Sequence, residues 1–321
     1  MNRFRPFRNV DPPKLADLWN RGLPRDGLVH ELNAHDLDAL IAGKFGFDPQ
    51  GFLVAENELG QVVGFVHAAF GPNDPEGARH DFDHELGTIA MLVVDSDHAG
   101  GPLPLSLVDS ATAYLKDRGA KVIYAGGQAP LNPFYWGLYG GSEFSGILSK
   151  HQVFRSAVVQ AGFEPVSTTL LFESDLAANT LRDPKGILLR RQTSLEVEED
   201  AKLPGWWSAL ALGEYRPTYF RLVSKTDSAQ LASAWTWEMT GFSRDDRRTR
   251  LGLTAVEVLP AYRRKGFGRH LVGEILRRVR GEWIDVVSVQ TAQTNSAAVA
   301  LYQALNFDQV ESATLYRLPG P

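Results

Sequence analysis

The sequence predicts an α/β protein whose two halves repeat one order of strands and helices. Three observations support this prediction: strand patterns recur in both halves, an amphipathic helix follows a glycine-containing loop in each half, and 321 residues suffice for two ordinary domains. A strand, a loop, a helix and another strand in succession form a crossover unit, so each half should hold a mixed sheet with helices on its faces. We expect the domains at residues 1–176 and 177–321.

The first half shows the pattern from residue 52 onward. A hairpin is expected first, because two apolar runs flank a turn at residues 57–60. Leu105, Val108, Ala111 and Leu115 then recur at helical spacing. The expected elements are strands at 52–56, 61–67 and 88–94, the helix around 105–115, a strand at 121–124, a helix at 152–161 and a strand at 168–172.

The second half repeats this order after a polar linker at 174–186. Its central helix is expected from an apolar stripe between Leu271 and Val279, with arginines elsewhere on its surface. Its expected elements are strands at 219–224, 231–239 and 253–259, that helix, a strand at 284–290, a helix at 296–305 and a strand at 314–318.

Composition excludes several classes of protein. Hydrophobic residues make up 44% and charged residues 22%, and no window approaches the roughly 20 apolar residues of a membrane span. No secretory signal is recognised, and cysteine is absent, so we expect a cytoplasmic protein without disulfides, thiolate zinc sites or a cysteine nucleophile. The net charge of -5 gives no general attraction to nucleic acid or anionic lipid.

Two further features argue against a metal or nucleotide enzyme. His80 and His84 have acidic neighbours but lack a helical pattern and a third ligand, so a surface loop is favoured over a metal site. The chain also lacks a P-loop, a dinucleotide fingerprint and a His-Glu-x-x-His motif. We therefore expect no metal.

The loop at residues 263–269 has the properties of a pyrophosphate site. A pyrophosphate needs several backbone N–H groups, close approach of the main chain and the start of a helix. The loop supplies two glycines directly before a helix, together with positive charge. Its residues are Arg263, Arg264, Lys265, Gly266, Phe267, Gly268 and Arg269.

This loop and a second segment resemble motifs of the GNAT acetyltransferase superfamily. The family's coenzyme A loop reads Arg/Gln-x-x-Gly-x-Gly/Ala directly after a strand, and the strand ending at 256–262 precedes it here. The second motif corresponds to residues 295–307, where Asn306-Phe307 departs from the usual Gly-Phe. The resemblance is close over residues 251–307 and weaker upstream.

The resemblance implies two tandem GNAT-like domains, each a mixed, mostly antiparallel sheet flanked by helices. It also implies a cosubstrate, acetyl-CoA or another short acyl-CoA. It implies that the main chain at Val256 and Val258 pairs with pantetheine, that strands 253–259 and 284–290 splay, and that Asn295 contacts the pantetheine arm or caps a helix. Tyr302 would lie near the sulfur and protonate the departing thiolate. A backbone N–H near Val258 would stabilise the oxyanion.

The general base and the role of the first half stay open at this stage. Glu257, Glu238 and a chain of waters are alternative bases, because strand alternation could point Glu257 either way. In the first half, Ala99-Gly100-Gly101-Pro102-Leu103-Pro104 replaces the coenzyme A loop, and its prolines lack N–H groups. This half therefore resembles a degenerate domain that cannot cradle pyrophosphate.

One other segment of the first half is unusual. The aromatic loop, residues 132–144, gathers aromatic residues and glycines. It could form a wall of an acceptor site, or it could cover the core or the interdomain face.

We expect an N-acyltransferase that moves acetyl from acetyl-CoA to a primary amine on a small molecule or protein, with one donor site per chain. The alternative is a non-catalytic acyl-CoA sensor that contacts a partner protein. The sequence predicts no oligomeric state.

Overall fold

The computed structural model describes residues 2–24, 28–179, 186–239 and 248–320. Its strands are β1 (Arg3–Pro6), β2 (Phe52–Glu56), β3 (Val62–Pro72), β4 (Phe82–Val94), β5 (Val122–Ala125), β6 (Ile147–Leu148), β7 (Glu164–Asp175), β8 (Thr193–Glu198), β9 (Thr218–Ser224), β10 (Gln230–Glu238), β11 (Arg250–Val258), β12 (Val286–Ala292) and β13 (Asp308–Arg317). Its α-helices are α1 (Pro12–Gly22), α2 (Ala34–Leu37), α3 (Leu103–Asp117), α4 (Gln152–Gln160), α5 (Gly186–Gln192), α6 (Gly205–Leu212), α7 (Phe267–Arg280) and α8 (Ser296–Ala304).

The strands join in one mixed sheet. Along its main path the order is β1-β2-β3-β4-β5-β13-β7-β12-β11-β10-β9-β8, and β6 pairs with β13. The pairs β4–β5 and β11–β12 are parallel, and the other pairs are antiparallel. These two parallel pairs occupy equivalent places in the two halves. The predicted α/β fold, two tandem units of mostly antiparallel sheet flanked by helices, is confirmed.

The last strand of each half lies beside the other half. The first half ends with β7, which pairs with β12 along residues 169–175, and the second half ends with β13, which pairs with β5. The two exchanged strands also pair with each other in the middle of the sheet. The boundary at residue 176 stays a prediction, and residues 180–185 of the expected linker lie outside the described residues.

Three buried clusters hold the helices to the sheet. In the first half, α3 and α4 cover one face, and α1 covers the other with Leu15, Leu18 and Trp19. In the second half, α7 and α8 pack on one face through residues such as Leu271 and Ile275. Each fully buried large apolar side chain stabilises the fold by about 1.5–3 kcal/mol. The remaining second-half face, which includes Trp237, joins the core under α1.

The pattern-based elements all appear, several of them longer than expected. The strand expected at 88–94 begins at Phe82, so His84 lies on β4 rather than in a loop. His80 and His84 are both exposed. No described residues form a group of three or more metal-ligating side chains. Within the described ranges, no helix has the length and apolar character needed to cross a membrane.

Candidate functional site

A wedge opens between β11 and β12 on the side of α7. The two strands pair from Arg250↔Val286 to Leu253↔Val289, and both then continue without pairing to each other. Between two register points with β10, β11 has one more residue than its partner, and Ala255 there has a φ of 48°. Such a bulge bends the strand, which accounts for the opening. The wedge has the splayed geometry that the resemblance implied.

The backbone of β11 presents unused groups to this wedge. The N–H of Leu259, just after β11, donates to the carbonyl of Leu231 on β10 at 3.0 Å. Because hydrogen-bonding direction alternates along an antiparallel strand, the N–H of Val258 points away from β10 and towards the wedge. The carbonyl of Val258 accepts a hydrogen bond from Arg263 Nε at 2.9 Å. The predicted oxyanion donor is therefore correctly directed, and its role stays a prediction.

The loop after β11 ends in a left-handed turn that starts α7. Gly266 is the N-cap, with φ 94°, and Arg264 also has a positive φ of 64°. The N–H groups of the first helical residues, Phe267, Gly268 and Arg269, have no acceptor within the helix. Together with the helix dipole, these donors form a site suited to an anion.

Glycine is required at the two positions of the loop for different structural reasons. Gly266 provides the left-handed conformation, which residues with a Cβ adopt at a cost. At Gly268 a Cβ would lie 2.9 Å from Leu301 Cδ1 and 3.1 Å from Val258 Cγ2. We expected both glycines to leave space for a ligand, but at Gly268 the space is taken by the contact between α7, α8 and β11.

The basic side chains of the loop also bind the protein's own carbonyls. Lys265 Nζ donates to Ala261 O at 3.1 Å and lies 5.5 Å from the centre of the Tyr262 ring. Arg269 donates to Ala304 O at 2.8 Å, which fixes the start of α7 to the end of α8. These contacts orient the loop and keep its positive charges close to the helix start.

Loop, wedge and α8 together enclose a cleft of about 660 Å³, within the range of small-molecule sites. Every site residue predicted from the sequence lines this cleft except Lys265. The lining residues are Val256, Glu257, Val258, Arg263, Arg264, Gly266, Phe267, Gly268, Arg269, Asn295, Ala297, Ala298, Leu301 and Tyr302.

Asn295 and Tyr302 enter the cleft from α8. Asn295 Oδ1 accepts the Ala298 N–H at 3.2 Å, so this residue caps the helix and lines the cleft at once. The Tyr302 ring is 4% exposed and packs near the rings of Phe172 and Phe307, at 5.9 and 5.6 Å. Burial and the nearby Glu143 raise the pKa of Tyr302, so its hydroxyl keeps its proton at neutral pH.

The two carboxylates considered as bases lie in different places. Val256 and Val258 pack against the core beneath α7, and Glu257 between them is exposed and lines the cleft. Glu238, in contrast, lines another depression with Asp200 and Arg216. Of these two carboxylates, only Glu257 lines the cleft, and its role as a base stays a prediction.

Sequence reasoning missed Glu143, which comes from the aromatic loop of the first half. Gln290 Nε2 lies 3.4 Å from its carboxylate, and Thr254 forms a side-chain hydrogen bond with it. Burial raises the pKa of the Glu143 carboxyl above its usual range, and these two hydrogen bonds oppose the shift. No local pattern marks this residue, because its position depends on how the two halves pack.

The rest of the aromatic loop is mainly structural. Phe134, Tyr135, Tyr139 and Phe144 are almost fully buried in the first half's core. The tip of the loop reaches the second half, where Trp237 Nε1 donates to Ser142 O at 3.1 Å. The loop thus covers the core, which is the second of the two interpretations drawn from the sequence. It also contacts the wedge.

The first half has the same strand-to-helix turn, but with fewer backbone N–H groups at the start of the helix. Pro102 is the N-cap of α3 and Pro104 is its second residue, the positions held by Gly266 and Gly268 at α7. Neither proline has an N–H to offer an anion. The turn therefore keeps the topology of the second-half loop but lacks the N–H groups at these two positions.

Comparison with known proteins agrees with this architecture. The model of the acetyltransferase (GNAT) family matches residues 14–140 and 196–307. A mycothiol acetyltransferase from Cellulomonas flavigena is 36% identical over 125 residues, which are 36% of this chain and 34% of that protein. The chain thus matches about a third of that relative's length.

Solved structures extend the similarity to the whole chain. A tandem GNAT protein from the clavulanic acid biosynthesis pathway superposes with a TM-score of 0.67 at 13% identity, over 99% of this chain and 98% of that one. An N-acetyltransferase from Sphaerobacter thermophilus gives 0.65 at 14% identity, over 100% and 97%. The glucosamine N-acetyltransferase region of a fungal β-N-acetylglucosaminidase gives 0.71 at 15% identity, covering 99% of this chain but 38% of that one. At these identities the likeness concerns the fold.

Proposed function

The chain belongs to the acetyltransferase (GNAT) family, and from this premise we propose that it transfers acetyl from acetyl-CoA directly to a primary amine. The observation that carries the proposal is the cleft of the second half. One cavity brings together an anion-binding helix start, a strand edge with a free N–H at Val258, and a protonated Tyr302. These are the groups that a thioester donor needs for binding, oxyanion stabilisation and leaving-group protonation.

The residues of the cleft suit the parts of acyl-CoA in order. The donors of Phe267, Gly268 and Arg269 would hold the pyrophosphate, with Arg264 adding charge. The edge of β11 at Val256 and Val258 would pair with the amides of pantetheine, and Asn295 would border that arm. This order leads the thioester into the wedge.

The proposed reaction balances with one proton released. The amine nitrogen forms a bond to the thioester carbon while the carbon–sulfur bond breaks, and the electron pair of that bond stays on sulfur. Of the three protons on the bound ammonium, one remains on the amide, one reaches the thiol through Tyr302, and one goes to solvent. No acyl-enzyme is needed, in keeping with a chain that has no cysteine.

Release of free thiol tests the proposal against a non-catalytic sensor. We expect thiol release from acetyl-CoA that depends on an amine and matches the amount of acylated product. The panel should hold a polyamine, an amino sugar, an aminoglycoside, a lysine amide and a peptide with a free N-terminus. Tight binding of acetyl-CoA without amine-dependent thiol release would favour the sensor.

A further inference from the structure

The connection between the last parallel strand and the next helix differs between the halves. In the second half, β12 leads to α8 through residues 293–295, whereas in the first half β5 leads to α4 through residues 126–151. The longer connection contains the aromatic loop, whose tip crosses to the second half. It therefore carries Glu143 of the first half to the wedge of the second.

Glu143 meets the wedge at its apex. The last paired residues of the two parallel strands are Leu253 and Val289. Thr254 and Gln290, the partners of Glu143, are the next residue on each strand. The carboxylate is thus held where the strands separate, and it lies close enough to Tyr302 to act on it electrostatically.

The setting of Glu143 is unusual for a structural carboxylate. No arginine, lysine or histidine of the described residues forms an ion pair with it, and its two known partners are neutral. The protein covers much of this partly exposed carboxylate, and no cation of the described residues offsets the hydration that it loses. Packing alone gives no reason for a glutamate here, whereas a cationic ligand does.

Gln290 adds a second hydrogen-bond acceptor, its Oε1, beside the Glu143 carboxylate at the apex of the wedge. Its Nε2 faces the Glu143 carboxylate at 3.4 Å, an orientation that pairs a donor with an acceptor. Its Oε1 is then left buried, with no hydrogen-bond partner among the described residues. A primary ammonium has three donors and no acceptor, so it complements this pair of oxygens.

We propose that Glu143, supplied by the first half, binds the ammonium group of the acceptor in the active site of the second half and removes its first proton. The inference rests on the proposed function and assigns its base. A proton passes from the ammonium nitrogen to a Glu143 oxygen, which frees the nitrogen lone pair to attack the thioester carbon. Glu143 then returns the proton to solvent. The first half, without a donor site of its own, is in this way part of the catalytic machinery.

The test compares Glu143→Gln with the wild-type full chain on two classes of acceptor. n-Butylamine and the side chain of the lysine amide are ammonium ions at pH 7.5, whereas methoxyamine is already neutral. We expect the variant to lose at least about 100-fold in thiol release with alkylamines, the usual scale of general base catalysis, and less than about tenfold with methoxyamine. Calorimetric affinity for acetyl-CoA should be unchanged.

A matched control and three outcomes decide the inference. Glu311→Gln removes a buried carboxylate that accepts a hydrogen bond from Ser149, the residue after β6, and should leave both rates within about twofold. Equal losses with both acceptor classes in Glu143→Gln, or no loss with either, would overturn the inference. A wild-type chain that acylates no amine, whether or not it binds acetyl-CoA, would instead overturn the proposed function, and the inference with it.

Discussion

Tyr302 occupies a setting that suits a proton donor. Its ring packs between Phe172 and Phe307, and its pKa is raised first by burial and then by Glu143. A group that keeps its proton at neutral pH can deliver it to a developing thiolate, which would otherwise leave unprotonated. The ring fixes the hydroxyl's position, so the two parts of the side chain have separable roles.

Tyr302→Phe should therefore lower the turnover rate far more than donor affinity. Phenylalanine keeps the ring contacts and removes the hydroxyl, so we expect kcat to fall by about 10- to 100-fold and the Kd for acetyl-CoA to stay within about twofold. Steady-state kinetics and calorimetry measure the two quantities. Tyr316→Phe is the matched control, since Tyr316 is equally buried and bonds Arg155 in the first half. Unchanged turnover in Tyr302→Phe would remove the proposed role.

At the residue scale, sequence motifs and tertiary contacts predict different things. Asn295 and Tyr302 were predicted because they stand at fixed places in a motif whose strand and helix form locally. Glu143 was not, because a loop of the first half brings it to Thr254 and Gln290 only after both halves have packed. Glu257 lies between these cases: alternation left its direction open, and its exposure in the cleft resolves that direction.

In the proposed function, binding of the acyl-CoA donor depends most on the start of α7. Its N-cap and second helical residue are glycines, while the same positions of α3 are prolines. Both helices follow the first strand of a parallel pair, so topology is equal and only the backbone donors differ. An anion is bound by the donors rather than by the topology.

Gly266→Ala tests the left-handed turn directly. Alanine at a φ of 94° costs about 1–2 kcal/mol and will shift the loop, so affinity for acetyl-CoA should fall by at least about tenfold in calorimetry. Gly60→Ala is the control, because Gly60 also has a positive φ, with open space around its Cβ position, in a turn remote from the cleft. Both variants should lower the melting temperature similarly. Equal affinity of the two variants for acetyl-CoA would contradict the role given to the loop.

Elements with a clear period were predicted well, and those without one were missed. The stripe of α7 and the alternating strands stand out in the sequence, and the structure contains each of them. No helix was predicted at α1, although proline is tolerated in the first turn of a helix, where N–H groups lack partners anyway. The short elements β6, α2 and α5 have too few residues to show a period.

At the scale of the whole molecule, the halves are joined more closely than a linker between two domains implies. β7 and β13 each lie beside the other half, and they pair with each other over residues 164–173 and 308–317. Sequence periodicity could not show this exchange, because a strand has the same pattern whichever neighbour it pairs with. The shared sheet also fixes the aromatic loop against the wedge.

This arrangement gives the two halves unequal parts in one site. The second half holds the donor loop, the wedge and Tyr302, and the first half contributes Glu143 through its long connection. Pro102 and Pro104 remove two of the backbone N–H groups that a second anion site at the start of α3 would need. The central claim is that the chain has one acyl-CoA site, in its second half.

Calorimetric titration of the full chain with acetyl-CoA tests that claim most directly. We expect one site per chain, and we expect the same titration of Gly266→Ala to show that site weakened. Two equivalent sites per chain, or one site with an affinity that Gly266→Ala leaves unchanged, would contradict the account.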